Sequence, residues 1–162
     1  MRGPSLRIVL PAAVVVTIVF PALRQAPGGP WLPDPWLALA LWGVPLPAPP
    51  RLRTATLWVL ILAFLRGTVS VVPPLTTLTG LGLGLVAREL LDRRFDTGRW
   101  PIRVLVGLAA AAPLALLDLR VAALTGLPLA PESAAVRAAG AALLWALWPL
   151  TPRSLAVRPT TP

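Results

Sequence analysis

A chain of 162 residues in which 56% are hydrophobic and 13% are charged has about half the charged share of an ordinary soluble domain, roughly 25%. Its mean hydropathy of +0.76 excludes an intrinsically disordered chain, which needs a hydrophilic composition to stay solvated. The net charge is +9, and every basic residue that contributes to it is an arginine. This composition predicts an integral membrane protein.

The missing residue types exclude most enzyme classes, because the sequence has no His, Cys, Tyr or Lys. Without them it cannot build a disulfide framework, a cysteine zinc site, a Ser–His triad or a lysine Schiff base. Asp92 and Asp96 are four residues apart, but arginines flank them, so a paired-carboxylate hydrolytic site is not expected. We therefore predict a non-enzymatic protein with no catalytic residues, no cofactor and no metal.

In chain order the sequence predicts six membrane-spanning helices that form one all-α transmembrane domain, since crossing a hydrocarbon core of about 30 Å takes roughly 20 apolar residues. The predicted spans cover residues 8–23, 35–48, 54–72, 75–91, 102–124 and 134–150, and a short cytoplasmic tail follows over 152–162. The first span, flanked by Arg2 and Arg7, has a signal peptide as its alternative interpretation. Pro73 and Pro74 separate the third span from the fourth, and Ser133 is predicted to cap the sixth.

The distribution of arginine predicts the orientation of these spans. If the N-terminus is cytoplasmic, the segments on that side carry nearly all the loop arginines, and the opposite loops contain only Arg24. The cytoplasmic arginines are then Arg2, Arg7, Arg51, Arg53, Arg88, Arg93, Arg94, Arg99, Arg103, Arg153 and Arg158. Such asymmetry follows the positive-inside rule, so both termini are predicted to be cytoplasmic. This orientation also explains the net charge without a nucleic-acid partner.

The tryptophans lie near the ends of the predicted spans, which is typical of an aromatic belt at the membrane interface. They are Trp31, Trp36, Trp42, Trp58, Trp100, Trp145 and Trp148. A functional aromatic box is the alternative.

Arg66 lies about twelve residues into the third span, just beyond the predicted midplane. An arginine inside a membrane costs a few kcal/mol and indicates a functional site with a partner. Asp118 in the fifth span is the acid at similar depth, so we predict an intramembrane Arg66–Asp118 ion pair. In the alternative, Arg66 extends to the interface while Asp118 pairs with Arg120 or faces water.

The connection after the fourth span is rich in arginine and contains the pairs Arg88/Asp92 and Glu89/Arg93 at a spacing of four residues. Such pairs stabilise a helix slightly, so the fourth helix is predicted to continue beyond the membrane. The arginines of this connection either only set the orientation or contact anionic lipid headgroups or a cytoplasmic partner. They are Arg88, Arg93, Arg94, Arg99 and Arg103.

Gly80 and Gly84 form a small-residue face on the fourth span, which allows close approach of another helix. Packing within the chain is the simpler interpretation, and contact with a partner helix is the alternative. The glycine run is not a dinucleotide-binding motif, which would need a preceding strand.

Three segments together resemble MreD, the small integral membrane subunit of the bacterial rod-shape machinery. They are the Pro-Asp followed by a Leu-rich helix over 33–42, the two helices and charged end over 54–94, and the sequence LLWALWPL over 143–150. In this family Pro33 and Asp34 would be contact residues at the outer end of the second helix. The chain departs from the family pattern at Arg66, which stands where the family usually has an acid.

The resemblance implies a non-enzymatic scaffold of the cell-wall elongation machinery (the elongasome). Such a scaffold binds a single-pass MreC-like partner and helps position peptidoglycan-synthesis enzymes. It also implies an alternative, a small-molecule-binding membrane subunit of an energy-coupling-factor type transporter, because the six-helix arrangement is similar. A transport subunit would need an outward-facing polar pocket, for which the sequence offers few candidates. They are Asp118, Arg120, Glu132 and Arg137.

Overall fold

The computed structural model describes residues 6–44, 52–95, 99–126 and 129–147, and over these ranges the chain is helical without any strand. The elements are α1 (Leu6–Gln25), a 3-10 turn (Gly29–Trp31), α2 (Pro35–Gly43), α3 (Leu52–Val69), α4 (Pro74–Arg94), α5 (Trp100–Thr125) and α6 (Pro131–Leu147). The all-α prediction is confirmed for this part of the chain, while the tail over 152–162 lies outside the described residues.

Proline and glycine set several of the helix boundaries. Helix α3 ends before the Pro73–Pro74 pair and α4 begins at Pro74, because proline is well suited to the first turn of a helix but not to its interior. Helix α5 ends at Gly126, whose φ of 69° is in the left-handed region that glycine adopts without strain.

The predicted cap of the sixth helix is wrong. Helix α6 begins at Pro131, so Ser133 lies inside the first turn, where its hydroxyl donates to the carbonyl of Ala130 at 2.8 Å. Proline has its φ already fixed, so Pro131 starts the helix three residues before the Ala134 start that a Ser133 cap would give.

Helix α2 is shorter than the span predicted over 35–48. It ends at Gly43, and Val44 is extended, while residues 45–48 lie outside the described part of the chain. Its 9 residues extend only about 14 Å, roughly half of a hydrocarbon core. The helix is apolar all round and contacts each of the other five helices. Such a helix belongs inside a bundle, and α2 is the centre of this one.

The other helices surround α2 in the order α1, α3, α4, α5 and α6, each packing against the next. Within the described ranges α1 and α6 do not pack directly against each other, and the 3-10 turn contacts both. We call the gap between them the α1–α6 seam.

Contacts at both ends of the bundle show that consecutive helices run antiparallel. The end of α3 meets the start of α4 through Arg66 and Thr77, whereas the end of α6 meets the start of α5 through Trp145 and Arg103.

Helices α4 and α5 pack closely along the glycine face of α4. A Cβ atom added to Gly84 would lie 2.2 Å from the carbonyl oxygen of Ala110, and one added to Gly80 would lie 2.9 Å from the Cα atom of Leu114. Real Cβ atoms do not come so close, so both positions require glycine. The small-residue face is therefore covered by α5 within the chain.

Two of the described helices, α3 and α5, are long and apolar enough to cross a membrane, and Val9–Gln25 forms a shorter apolar helix. Large apolar side chains also point away from the bundle, for example Ile18 (72% exposed), Phe64 (66%) and Leu116 (61%). A soluble monomer rarely exposes extensive apolar surface. These features fit a membrane protein.

Candidate functional site

The most distinctive polar feature of the bundle is a group of buried side chains around the Arg66 guanidinium. Its Nε donates to Asp34 Oδ2 at 3.0 Å, and its Nη1 donates to Thr77 Oγ1 at 3.0 Å and to Asp118 Oδ1 at 3.2 Å. Its Nη2 bonds to Asp118 Oδ2 as well. We call Asp34, Arg66, Thr77 and Asp118 the Arg66 cluster. All four side chains are buried, and they tie together α3, α4, α5 and the start of α2.

The structure brings Arg66 and Asp118 together as the sequence suggested, with two bonds between the guanidinium and the carboxylate. Arg120, the alternative partner of Asp118, is exposed. Arg66 lies nearer the end of its helix than the predicted span over 54–72 placed it. Because α3 ends at Val69, Arg66 lies in the last turn of that helix, where the partial negative charge of the helix C-terminus favours a cation.

Asp34 and Thr77 are the members of the cluster that sequence reasoning missed. Asp34 was expected only as a contact residue, and Asp118 as the one acid at this depth. Asp34 precedes a helix that starts inside the bundle, so its carboxylate reaches the end of α3. The signal was present in the sequence, since an Asp-Pro helix start and the Arg66 end of α3 were predicted on the same side.

Asp34 has a second role as the N-cap of α2. Its Oδ1 accepts from the backbone N–H of Leu37 at 3.1 Å, while its own N–H donates to the carbonyl of Arg137 at 3.2 Å. The neighbouring Pro33 packs against Gly140, where an added Cβ would lie 2.8 Å from the proline Cγ. Pro33 and Asp34 therefore join α2 to α6 inside the chain.

Further charges lie near the cluster. Arg66 faces two carboxylates, and Arg137 on α6 interacts electrostatically with both of them as well as with Arg24 at the end of α1. Burying charges costs several kcal/mol per ion unless each is paired and hydrogen-bonded. The four side chains of the Arg66 cluster bond to one another, which leaves these four little bonding capacity for a substrate.

A small cavity borders the Arg66 cluster and has a volume of about 10 Å³. Its lining consists of Asp34, Leu37, Leu114, Ala115, Asp118, Ala134, Arg137 and Ala138. This volume suffices for about one water molecule. In the part of the chain that the structure describes, the cavity beside these polar residues is thus at the scale of one water molecule. Asp118 and Arg137 line it, whereas Arg120 and Glu132 are exposed.

At the opposite end of the bundle two arginines enclose the buried ring of Trp145. The guanidinium carbons of Arg88 and Arg103 lie 5.1 and 4.9 Å from its ring centre, which is a favourable cation–π distance. Arg88 also donates to the carbonyl of Leu41, and Arg103 to that of Trp145 at 3.2 Å. These two arginines hold α2, α4, α5 and α6 together, so they differ from the headgroup contacts considered from the sequence.

The remaining arginines of this connection, Arg93, Arg94 and Arg99, are exposed. The two predicted pairs along α4 are both formed. Arg93 Nε lies 2.7 Å from Glu89 Oε1, and Arg88 Nε lies 3.5 Å from Asp92 Oδ2. The helix continues to Arg94, as the spacing of these pairs predicted.

The aromatic-belt interpretation is wrong for Trp36, Trp58 and Trp145, which are buried inside the bundle. Trp36 donates to Thr17 at 3.2 Å and meets Phe20 edge to face. By contrast, Trp31 and Trp100 are 51% and 68% exposed, as a belt requires, and Trp148 lies outside the described residues. Nearness to a helix end does not decide which way a ring points.

Across the described ranges, no three Asp or Glu side chains gather in a way that could hold a metal ion. No protein-family model, curated protein or solved structure matches this chain. Inference about its role therefore depends on the geometry above and on the sequence resemblance.

Proposed function

We propose that this chain is a six-span protein of the bacterial inner membrane that acts as a non-enzymatic scaffold of the MreD type. It would bind a single-pass MreC-like partner and help position the peptidoglycan-synthesis enzymes that determine cell shape. The observation that carries this proposal is the Arg66 cluster, which uses the buried polar groups to fix helices to one another. A scaffold needs such internal rigidity, because its partners must find a surface of constant shape.

The outward surface supports the same role. Apart from its charged ends, the described bundle presents mainly apolar helix faces, with side chains such as Val15, Ile18, Phe64 and Leu105 more than half exposed. Partners would be met within the bilayer or at its edges. At the cytoplasmic end, Arg93, Arg94 and Arg99 are exposed and suited to anionic lipids or an acidic segment of a partner.

The transport alternative has one observation in its favour, the polar cavity beside Asp34, Asp118 and Arg137. A small-molecule site usually has a volume of roughly 300–1,000 Å³, far more than this cavity offers. A vitamin-sized ligand would have to displace α6 and break the hydrogen bond between Asp34 and Arg137. Substrate-stimulated thermal stabilisation of the purified protein, screened over vitamins, would favour transport instead.

Topology can be tested by reporter fusions, because the six-span arrangement places specific residues on specific sides. Alkaline phosphatase fused after Phe95 is expected to be inactive and green fluorescent protein at that site to be fluorescent, since the neighbouring arginines keep this connection in the cytoplasm. Fusions after Gly126 should show the reverse. An active phosphatase after Phe95 would contradict the orientation and the role proposed with it.

The scaffold role predicts that depletion of the protein in its rod-shaped host converts rods into rounded cells and disperses the MreC-like partner along the membrane. Re-expression of the wild-type chain should restore both. In mild detergent the tagged protein should co-purify with the partner, and an unrelated six-span protein of similar abundance serves as the control. Depleted cells that keep their rod shape and partner localisation would refute the proposal.

A further inference from the structure

Two arginines at the outer end of the α1–α6 seam have no part in the Arg66 cluster's hydrogen bonds. Arg24 lies in the last turn of α1, and Arg137 lies in the second turn of α6. The two guanidinium groups repel each other electrostatically. Neither side chain forms a hydrogen bond or ion pair with another described residue, and the Nε of Arg137 is buried without an acceptor.

The orientation of Arg24 places its charge next to the seam. Its guanidinium carbon lies 5.6 Å from the ring centre of Phe20, one turn back along α1, and that ring contacts Trp36 of the central helix. Arg137 approaches from α6, where its carbonyl accepts from Asp34. The two cations therefore flank the same gap, beneath the 3-10 turn that contacts both α1 and α6.

Among the described residues of the Arg66 cluster and the seam, positive charge exceeds negative charge. Three guanidiniums, those of Arg24, Arg66 and Arg137, stand against the carboxylates of Asp34 and Asp118. Both carboxylates already bond to Arg66. One positive charge is left over, and it is concentrated at the mouth of the seam. An anion placed between Arg24 and Arg137 would relieve their repulsion and accept hydrogen bonds from both.

The surroundings match a phospholipid better than a soluble anion. Exposed apolar side chains lie along the two helices that border the seam, Val15 and Val19 on α1 and Val136 and Leu143 on α6. The exposed Trp31 on the 3-10 turn is suited to the headgroup level of a membrane. A guanidinium pairs with phosphate oxygens through directed hydrogen bonds.

We infer that Arg24 and Arg137 bind the phosphate of one anionic phospholipid of the outer leaflet, whose acyl chains occupy the α1–α6 seam. This site is independent of the scaffold role, and its place in the outer leaflet rests on the orientation proposed above. The lipid would complete the ring of helices where α1 and α6 do not meet. It would supply the negative charge that the chain lacks at this point.

Native mass spectrometry of the full chain, released from nanodiscs containing phosphatidylglycerol and phosphatidylcholine, tests this site. The wild type is expected to retain one phosphatidylglycerol. Arg24→Gln and Arg137→Gln should each weaken retention about tenfold, because each removes a charge-assisted hydrogen bond. Arg120→Gln, a matched loss of an exposed charge on α5, should retain the lipid as the wild type does.

Two further measurements distinguish a phospholipid site from a soluble-anion site and from no site. Arg24→Lys/Arg137→Lys preserves the charge, so partial retention is expected, and thermal unfolding of each variant in detergent shows that it is folded. Stabilisation of the wild type by millimolar inorganic phosphate without retention of phosphatidylglycerol would overturn the lipid assignment in favour of a soluble anion. Equal retention by the wild type and the folded Arg24→Gln/Arg137→Gln variant would overturn the site itself.

Discussion

The double variant Asp34→Asn/Asp118→Asn is expected to lose on the order of 3–5 kcal/mol of unfolding free energy, because it leaves the buried Arg66 guanidinium without a counter-ion. Each single variant is expected to cost only about 1 kcal/mol, the net contribution of a typical hydrogen bond. A single replacement still leaves Arg66 paired with one carboxylate. It also removes the repulsion between two carboxylates that share one cation.

The loss in the double variant is therefore expected to exceed the sum of the two single losses. The difference is the coupling energy of the double-mutant cycle, about 1–3 kcal/mol. Unfolding of the detergent-solubilised variants, followed by circular dichroism during titration with a denaturing detergent, measures each term. Asparagine preserves the cap of α2, so Asp34→Asn reports on the charge rather than on the helix start. Glu132→Gln, an exposed carboxylate-to-amide change on α6, is the matched control. Additive losses would show that Arg66 does not depend on the two acids jointly.

The geometry also explains why a simple exchange of charges is an unsuitable test of the ion pair. In the variant Arg66→Asp/Asp118→Arg, the new carboxylate on α3 would face Asp34, which lies 3.0 Å from the present Arg66 Nε. Two buried carboxylates in contact destabilise each other. Failure of that exchange would therefore not exclude the native pair, whereas the Asp-to-Asn cycle leaves no such ambiguity.

Replacement of Gly84 by alanine is expected to destabilise the bundle by about 1–3 kcal/mol, the usual cost of an extra group in a packed interior. The added Cβ would lie 2.2 Å from the carbonyl oxygen of Ala110. That oxygen belongs to the backbone of α5, so only a separation of the two helices can relieve the overlap. Gly84→Leu is expected to prevent accumulation of the folded protein. Thermal unfolding in detergent and the amount of monodisperse protein after size exclusion measure these effects.

Gly82 provides the matched control within the same sequence motif. A Cβ added there meets nothing within 4 Å, and alanine is a better helix former than glycine by roughly 1 kcal/mol. Gly82→Ala is therefore expected to be as stable as the wild type or slightly more stable. If Gly82→Ala and Gly84→Ala lost stability equally, the close approach of α4 and α5 would be refuted. If neither did, the approach would be looser than the structure indicates.

Several local features could be predicted because they depend only on residues close in sequence. The Pro73–Pro74 pair separates α3 from α4, and the spacing of four residues between Glu89 and Arg93 gives an ion pair on α4. An arginine in an apolar helix is costly, so it pairs with an acid or reaches water. This cost led to the Arg66–Asp118 pair as one of two interpretations, and the structure decides in its favour.

Other features could not be predicted, because uniformly apolar helices carry no signal for the direction in which each face points. Helix α2 is apolar on every side, so its sequence does not reveal that it ends at Gly43 and lies at the centre of the bundle. Trp145 lies near the end of α6, where a tryptophan suits the membrane interface. Only the approach of Arg88 and Arg103 from α4 and α5 makes its site an interior one.

The sequence by itself determined that this chain forms apolar helices broken at its prolines, and it left open whether Arg66 pairs with Asp118 or extends to the interface. Only the tertiary structure decided that Asp34 and Asp118 share this cation, that α2 occupies the centre, and that Arg24 and Arg137 are left facing the seam. The physical reason is how far apart along the chain the interacting residues are. Helix formation and breaking depend on neighbouring residues, whereas charge pairing and burial depend on which helices meet, and the packing of the whole bundle fixes those contacts.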